Sequence, residues 1–154
     1  MTRLTTDVRV RRLAAGDRDG ARQLFGLLTA VFEEAGEPLT DVYLDRLLGR
    51  ADFWALVAVA GGEVVGGLTA YALPMTRAEV SELFLYDVAV RPDWQRRGVG
   101  RQLMEALRTA AAAAGIGVAF VPADNADAHA LAFYRAVGGV PAAVTVFTFA
   151  DAGA

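Results

Sequence analysis

The sequence predicts an α/β fold: a mixed central sheet with helices on both faces and a bulged central strand. Apolar runs of strand length alternate with segments that repeat apolar residues at helical spacing. The three central strands are linked by short turns, so we expect them to pair antiparallel. The strand–helix–strand unit after them requires a parallel crossover. With 154 residues and no linker-like stretch, the chain is predicted to be one domain, residues 1–154.

The first third of the chain predicts one strand and two helices. Val8 and Val10 alternate with arginines, which indicates a half-exposed strand. Apolar residues between 21 and 32 repeat at the spacing of one helix face, and Thr40 or Asp41 can cap a second, shorter helix. Three acidic residues follow the first helix: Glu33, Glu34 and Glu37. They either form a solvated helix end or line a cleft that binds a cation.

Two strands joined by a tight turn follow. Residues 53–60 form a continuous apolar run, typical of a strand buried on both faces. Gly61-Gly62 is a two-residue hairpin signal, and residues 64–73 return as the partner strand. Within that strand, Gly66-Gly67 indicates a bulge or a close approach of another part of the chain.

The next strand, which ends at Val90, changes its apolar parity. Leu83 and Leu85 share one parity, whereas Val88 and Val90 share the other. Side chains alternate between the faces of a strand, so the apolar set stays on one face only if one extra residue is inserted. The sequence therefore predicts a β-bulge near Tyr86-Asp87. The alternative is a regular strand that is buried on both faces.

A loop with glycines and arginines links this strand to a helix. Gly98 and Gly100 lack a Cβ atom and allow close approach to the backbone. The first amides of a helix have no partner within it, and the helix dipole adds positive charge there. Arg96, Arg97 and Arg101 add full charges. The sequence predicts a diphosphate-binding loop rather than a tight turn with solvated arginines.

The C-terminal part predicts a strand over residues 116–121, a helix capped within 124–127 that extends to about Val137, and a final strand over 144–149.

The composition excludes several classes. There is no cysteine and a single histidine, so we expect no disulfide, no thiolate nucleophile and no metal site, and a cytoplasmic location. No apolar stretch is long enough for a membrane-spanning helix. A net charge of −3 argues against nucleic acid as a partner and suits a cationic substrate.

Residues 95–100, Gln-Arg-Arg-Gly-Val-Gly, resemble the Gln/Arg-x-x-Gly-x-Gly/Ala signature of the GNAT superfamily of N-acetyltransferases. The resemblance implies the GNAT fold and acetyl-CoA as cosubstrate, with the amide of the bulged strand facing the thioester. The residues that it implies for cofactor binding are Val88, Ala89, Val90, Gln95, Arg96, Arg97, Gly98, Val99, Gly100, Arg101 and Tyr134.

The same resemblance implies catalytic roles. Residues 127–134 are similar to the family's Asn-x-x-Ala-x-x-x-Tyr segment, so Tyr134 would protonate the leaving thiolate. Asp127 replaces the usual Asn, which puts one CoA contact in doubt. An alkylammonium acceptor, with a pKa of about 10.4, must lose a proton before it attacks. Asp87 and Glu82 are both candidates for the base.

A narrower resemblance is to the class I aminoglycoside 3-N-acetyltransferases of the gentamicin/fortimicin type. It rests on residues 53–56, 70–74, 85–90, 123–124 and 127–134. It implies direct attack of the 3-amino group in a ternary complex and a homodimer, and it leaves the role of His129 open. The residues that it implies for substrate binding are Tyr86, Asp87, Asp124 and Asp127.

Two alternatives stay open. The acceptor could be a polyamine, another small amine or a protein N-terminus, because acidic residues suit these almost as well. The domain could also bind CoA as a sensor without catalysis.

Overall fold

The computed structural model describes residues 7–153. The chain forms two compact units, one up to Pro122 and one from Ala123 onward. The prediction of one domain over residues 1–154 stays a prediction. The N-terminal unit contains β1 (Arg9–Arg12), α1 (Arg18–Val31), α2 (Asp41–Leu48), β2 (Phe53–Ala60), β3 (Glu63–Pro74), β4 (Ser81–Val90), a 3-10 turn (Pro92–Trp94), α3 (Val99–Ala113) and β5 (Ala119–Phe120).

The sheet has the order β1-β2-β3-β4-β5. The pairs from β1 to β4 are antiparallel and the β4–β5 pair is parallel, so the predicted mixed sheet is confirmed. The turn between β2 and β3 is also as predicted, since Gly61 and Gly62 have φ values of 58° and 80°. Such positive values are required at both central positions of a type I′ hairpin turn.

Helices cover both faces of this sheet, as predicted. Gly67 lies against Leu24 of α1, and a Cβ atom there would also lie only 2.7 Å from the Leu56 carbonyl oxygen. A Cβ atom on Gly66 would instead lie 3.1 Å from Val99 of α3. Successive strand residues point to opposite faces, so α1 and α3 flank the sheet. Gly66 and Gly67 therefore allow α3 and α1 to pack closely on the two faces of β3.

The first two helices begin and end close to the predicted positions. The Thr40 hydroxyl accepts a hydrogen bond from the amide of Tyr43 at 3.1 Å and caps α2. The core on this face of the sheet joins residues of α1, α2 and the strands: Leu13, Ala21, Leu24, Leu28, Leu44, Leu48, Phe53, Ala55, Val57 and Ala89.

The predicted bulge in the central strand is confirmed. Asp87 lies opposite Thr69 and Leu85 lies opposite Ala70, so Tyr86 is the extra residue. On the C-terminal side of the bulge, Val88 and Val90 lie opposite Leu68 and Gly66. These β3 residues share one face with Ala70 because their numbers differ by two. The apolar face of β4 therefore continues through the bulge.

The C-terminal part differs from the prediction in its strands and agrees in its helix. The strand predicted over 116–121 is confined to Ala119–Phe120, between Gly117 and the helix-and-strand breaker Pro122. In the C-terminal unit, α4 (Ala128–Ala136) begins after Asp127, whose carboxylate accepts from the Ala130 amide at 3.0 Å. Residues 144–149, predicted as a final strand, are not in a strand in the described part of the chain. Their alternating sequence favours an extended backbone, but a strand also requires a hydrogen-bonded neighbour, which the sequence pattern does not supply. Among residues 7–153, no helix is both long and apolar enough to cross a membrane.

Candidate active site

The bulge redirects the backbone of β4. Before it, the Leu83 amide donates to the Val118 carbonyl on the β5 side, at 2.9 Å. After it, the Arg91 amide donates to the Val65 carbonyl on the β3 side, at 2.8 Å. Amides alternate in direction along a strand, so Val88 and Val90 point their N–H groups away from β3.

In the N-terminal unit, β5 pairs with Leu83 and Phe84 alone, so the parallel pairing stops before the bulge. The Val88 amide is therefore directed toward a side of β4 that β5 does not cover. The Gln95 side chain donates to the Val90 carbonyl on this side, at 3.1 Å. Ala89 has the opposite backbone direction, toward β3, and its side chain is buried. The site thus has an amide donor at Val88, close to the bulge.

The loop before α3 has the geometry of an anion cradle. Gly98 has φ 80°, and nothing lies within 4 Å of the position where a Cβ atom would be. The Gln102 amide donates to the Gly98 carbonyl at 3.0 Å as the first helical bond, so the amides of Val99 and Gly100 precede the helical ladder. Arg96 and Arg97 are exposed beside them. This arrangement can bind phosphate groups.

Contacts of two arginines hold this loop in place. Arg91 donates to the Asp93 carboxylate at 2.7 and 3.0 Å and to Glu63 of the β2–β3 hairpin at 3.1 Å. The Arg97 guanidinium lies over the Trp94 ring, 4.7 Å from its centroid. The loop is therefore tied both to the sheet and to the 3-10 turn before it.

Asp87 lies at the bulge on the α1 side of the sheet, because its partner Thr69 shares a face with Gly67. It is half-buried. Burial raises the pKa of the Asp87 carboxyl above its usual value, and the nearby charge of Glu34 raises it further. The other predicted base, Glu82, lies on the same face opposite Leu73. The partners of the two acids, Thr69 and Leu73, lie four positions apart on β3, which corresponds to roughly 13 Å along the strand.

Aromatic side chains from three strands contact one another beside the bulge. The ring of Tyr86, which is 60% exposed, contacts Tyr71 at 6.0 Å and Phe84 at 5.7 Å between centroids. Phe84 in turn contacts Phe120 at 5.1 Å. Burial raises the pKa of Tyr71, and the neighbouring Tyr43, Tyr86 and Asp87 act in the same direction while Arg50 opposes them. Of this aromatic surface, sequence analysis found only Tyr86, since residues 71, 84 and 120 resemble ordinary core positions.

Arg101 lies in the first turn of α3. Four further residues named in the sequence analysis lie in the C-terminal unit. The carboxylates of Asp124 and Asp127 accept from the amides of Ala126 and Ala130 at 2.8 and 3.0 Å, and each uses its Oδ1 atom. His129 lies in the first turn of α4 and is exposed. Tyr134 follows on the same helix, with its ring 5.3 Å from that of Phe133. Their roles in substrate binding and catalysis stay predictions.

Comparison with known proteins decides the family. A profile described as the Acetyltransferase (GNAT) family matches residues 21–138, which include the bulged strand and the loop before α3. The chain belongs to this family. GNAT acetyltransferases use acetyl-CoA, so acetyl-CoA is the acetyl donor of this acetyltransferase, and the predicted fold and cosubstrate are both confirmed.

Solved structures resemble this GNAT chain over nearly its whole length. An aminoglycoside acetyltransferase from an uncultured soil metagenomic sample, in complex with sisomicin, is 33% identical with a TM-score of 0.90. The match covers 94% of this chain and 97% of that one. An aminoglycoside N-acetyltransferase in complex with CoA has a TM-score of 0.80 at 17% identity, covering 99% and 100% of the two chains, and shows the fold alone.

Curated sequences give a shorter match. The [ribosomal protein bS18]-alanine N-acetyltransferase of Salmonella typhimurium is 34% identical over 67 residues, which are 44% of this chain and 45% of the relative. That of Escherichia coli strain K12 is 33% identical over 73 residues, 47% and 48% of the two chains. The match thus spans about half the length of these curated relatives.

Proposed function

We propose that this acetyltransferase transfers the acetyl group of acetyl-CoA to an amino group of an aminoglycoside, the 3-amino group, and thereby inactivates the antibiotic. One observation carries the proposal: the bulge at Tyr86 brings an outward amide, that of Val88, next to a half-buried carboxylate, that of Asp87. An N–H donor and a base on adjacent residues are what an acyl transfer to an amine requires.

The residues of the loop before α3 fit the diphosphate of acetyl-CoA. Gly98 has no Cβ atom, so a phosphate group can come close to the backbone there. The amides of Val99 and Gly100 precede the first helical hydrogen bond and can donate to this phosphate group. Arg96, Arg97 and Arg101 supply the charges. When bound, acetyl-CoA supplies the thioester. The Val88 N–H is the donor that we assign to its carbonyl oxygen, where negative charge develops during attack.

At the acceptor, Asp87 removes the proton from the ammonium group. Its raised pKa makes it a better base than an exposed carboxylate. The chain has no cysteine, so direct attack by the amine is favoured over an acyl-enzyme. We assign protonation of the thiolate to Tyr134 and the binding of further ammonium groups to Asp124 and Asp127. Asp127 retains one carboxylate oxygen for this after capping α4.

The aromatic surface favours a ring-bearing acceptor over a linear polyamine. Tyr86 is exposed next to Asp87, and Tyr71 and Phe84 extend the surface around it. A sugar ring can lie on these faces while its ammonium group meets the carboxylate. Similarity to aminoglycoside acetyltransferases over 94% of the chain supports the same acceptor class.

The second candidate acceptor is the amino group of an alanine in a ribosomal protein, because the curated relatives that match are named for that activity. The match to them covers less than half of either chain. The aminoglycoside enzyme in complex with sisomicin matches at a similar identity, 33%, over 94% of the chain, so the aminoglycoside acceptor is favoured.

A thiol-release assay tests the proposal. The full chain is incubated with acetyl-CoA and one acceptor per reaction: sisomicin, gentamicin, spermidine or a peptide with an N-terminal alanine. The acetylated nitrogen of each product is located by NMR. Turnover with the aminoglycosides and a product acetylated at the 3-amino group are expected. Turnover with the peptide or with spermidine, and none with the aminoglycosides, would show that the proposed acceptor is wrong. CoA binding without turnover of any amine would indicate a CoA-binding sensor that is not an enzyme. A homodimer, the other expectation, is checked by light scattering on the same sample.

A further inference from the structure

Arg91 directly follows β4 and begins the loop that leads to α3. Its backbone amide donates to the Val65 carbonyl of β3 at 2.8 Å. All three nitrogens of its guanidinium group donate to carboxylates: Nε and Nη2 to the two oxygens of Asp93, at 2.7 and 3.0 Å, and Nη1 to Glu63 at 3.1 Å. Glu63 is the first residue of β3, and Asp93 lies in the 3-10 turn. This Arg91 cluster, which consists of Arg91, Asp93 and Glu63, therefore joins the turn to the sheet.

The part of the loop that follows the 3-10 turn is held by a contact on each side of Arg96. Before Arg96, the Gln95 side chain donates to the Val90 carbonyl at the end of β4, at 3.1 Å. After Arg96, the Arg97 guanidinium lies over the ring of Trp94, the last residue of the turn, at 4.7 Å from the ring centroid. Both contacts return to direct chain neighbours of the Arg91 cluster, so the position of the loop depends on the cluster.

Arg96 itself has a left-handed backbone conformation, with φ 61°. A side chain makes this conformation unfavourable, and a residue keeps it only where its surroundings impose it. In the same loop, Gly98 has φ 80° without this cost, because it lacks a Cβ atom. The backbone angles of Arg96 set the direction of the planar peptide groups that follow, including those of Val99 and Gly100. The anion cradle therefore depends on a strained residue, which the contacts on both of its sides must hold.

We propose that Asp93 and Glu63, although acidic, strengthen the binding of anionic acetyl-CoA: they hold Arg91, and the Arg91 cluster in turn keeps Arg96 in its left-handed conformation. The members of the cluster are positioning residues, because they act through the loop. The inference rests on the proposed function, which assigns the diphosphate of acetyl-CoA to this loop. It adds a contribution from the β2–β3 hairpin, which lies outside the sequence motif of residues 95–100.

The sign of the effect distinguishes positioning from electrostatics. A carboxylate near a diphosphate repels it, so electrostatics alone predicts that removal of Asp93 or Glu63 tightens the binding of acetyl-CoA. Positioning predicts that the same removal weakens the binding, because Arg91 loses a partner and the loop loses its attachment.

Calorimetric titration of the full chain with acetyl-CoA measures this sign. We expect Asp93→Ala to raise the Kd about fivefold and Glu63→Ala to raise it about twofold, in the range of exposed charge pairs. The control is Asp52→Ala: Asp52 accepts two bonds from Arg50, at 2.9 Å each and with the same separation in sequence, next to the opposite end of the β2–β3 ladder. Its Kd should equal that of the wild type, and the two aspartate variants should melt at the same temperature. A Kd that falls or stays unchanged in Asp93→Ala would overturn the proposal.

A second set of titrations tests the route through Arg96. Glycine adopts positive φ values without strain, so Arg96→Gly makes the loop independent of the Arg91 cluster. In an Arg96→Gly chain, the addition of Asp93→Ala should change the Kd by less than about twofold. Arg96→Ala is the matched background, because it also removes the charge but keeps a Cβ atom, and there the effect should remain about fivefold. Equal effects in the two backgrounds would refute the role of Arg96.

Gly98→Ala separates a failure of this inference from a failure of the proposed function. If Gly98→Ala raises the Kd and Asp93→Ala does not, acetyl-CoA binds at the loop and only the positioning role is refuted. If neither variant raises the Kd, acetyl-CoA binds elsewhere, and the cofactor site of the proposed function is refuted as well.

Discussion

The backbone amides of Leu83 and Arg91 donate to opposite sides of the same strand, although their positions differ by an even number. In a regular strand the two amides would point the same way. The inserted Tyr86 reverses the direction, and for that reason the Val88 amide faces the side that β5 leaves uncovered. The same insertion keeps Val88 and Val90 on the apolar face. One residue thus serves both the core and the site.

Deletion of Tyr86 should disrupt fold and site together. The deletion turns Val88 and Val90 to the other face, and the loss of their burial is expected to lower the free energy of unfolding by about 2–4 kcal/mol. Acetyl transfer should also be abolished. Urea unfolding and the thiol-release assay measure both effects. Tyr86→Ala is the matched control, because it retains the residue count and should unfold near the wild-type midpoint. An equal loss of stability and of acetyl transfer in both variants would mean that these properties depend on the Tyr86 ring and not on the bulge.

Asp87→Asn should remove the base and leave acetyl-CoA binding intact. We expect kcat to fall by about 10²–10⁴, the usual contribution of a general base. The affinity for acetyl-CoA, measured by calorimetry, should be unchanged. Glu82→Gln is the control, since its partner on β3 lies four residues from that of Asp87. A loss of turnover in Glu82→Gln with none in Asp87→Asn would assign the base to Glu82.

The raised pKa of Asp87 predicts that its carboxylate destabilises the folded chain. The folded state holds the proton more tightly, so the penalty is absent below the unfolded pKa of about 3.9. It grows as the pH rises through the folded pKa and is complete above it. Asp87→Asn should therefore be more stable than wild type at pH 7, and the difference should shrink toward acid pH.

The carboxylate of Asp45 is predicted to stabilise the folded chain, the opposite of the effect expected for Asp87. Its hydrogen bonds to Arg18 lower the pKa of its carboxyl, so its contribution to stability is present at neutral pH and is lost as the pH falls through the folded pKa. Asp45→Asn should be less stable than wild type at pH 7. Urea midpoints of both variants, from well below pH 4 up to pH 8, check the signs, and two curves with the same sign would contradict the assignment.

Sequence patterns predicted features that depend on neighbouring residues. The parity change around Tyr86, the positive φ values at Gly61 and Gly62 and the hydroxyl cap at Thr40 each follow from a local rule. The strand over 116–121 was predicted too long, because an apolar run does not show where pairing with the neighbouring strand stops. Only Ala119 and Phe120 pair with β4 in the part of the chain that the structure describes.

Contacts between distant positions could not be predicted in this way. Glu34 acts on Asp87 from more than fifty positions away, and Arg22 reaches Leu39 through a side chain whose conformation no pattern determines. The sequence left open whether Glu34 belonged to a solvated helix end or to a cleft. The placement on α1 of the loop between α1 and α2 is a property of packing and not of spacing.

Gly67→Ala should destabilise the fold, and Gly26→Ala should not. A Cβ atom on Gly67 would overlap Leu24 and lie 2.7 Å from the Leu56 carbonyl oxygen, so an overpacking penalty of about 1–3 kcal/mol is expected. Nothing lies within 4 Å of a Cβ atom on Gly26, in the interior of α1, where alanine should add about 1 kcal/mol. Urea unfolding of the two variants measures the difference. A stable Gly67→Ala chain would show that α1 does not pack closely on β3.

Gly98→Ala and Arg97→Ala should weaken acetyl-CoA binding for different reasons, and salt separates them. The φ value of 80° at Gly98 is one that alanine adopts only with a strain of about 1–2 kcal/mol, although no atom blocks its methyl group. The cradle amides should then be misplaced, and the Kd should rise by a factor that ionic strength changes little. Arg97→Ala removes a full charge, so its effect should diminish as added salt screens the wild type. Calorimetric Kd values at low and high NaCl concentration check this. Equal salt dependence in the two variants would mean that the arginine does not meet the diphosphate.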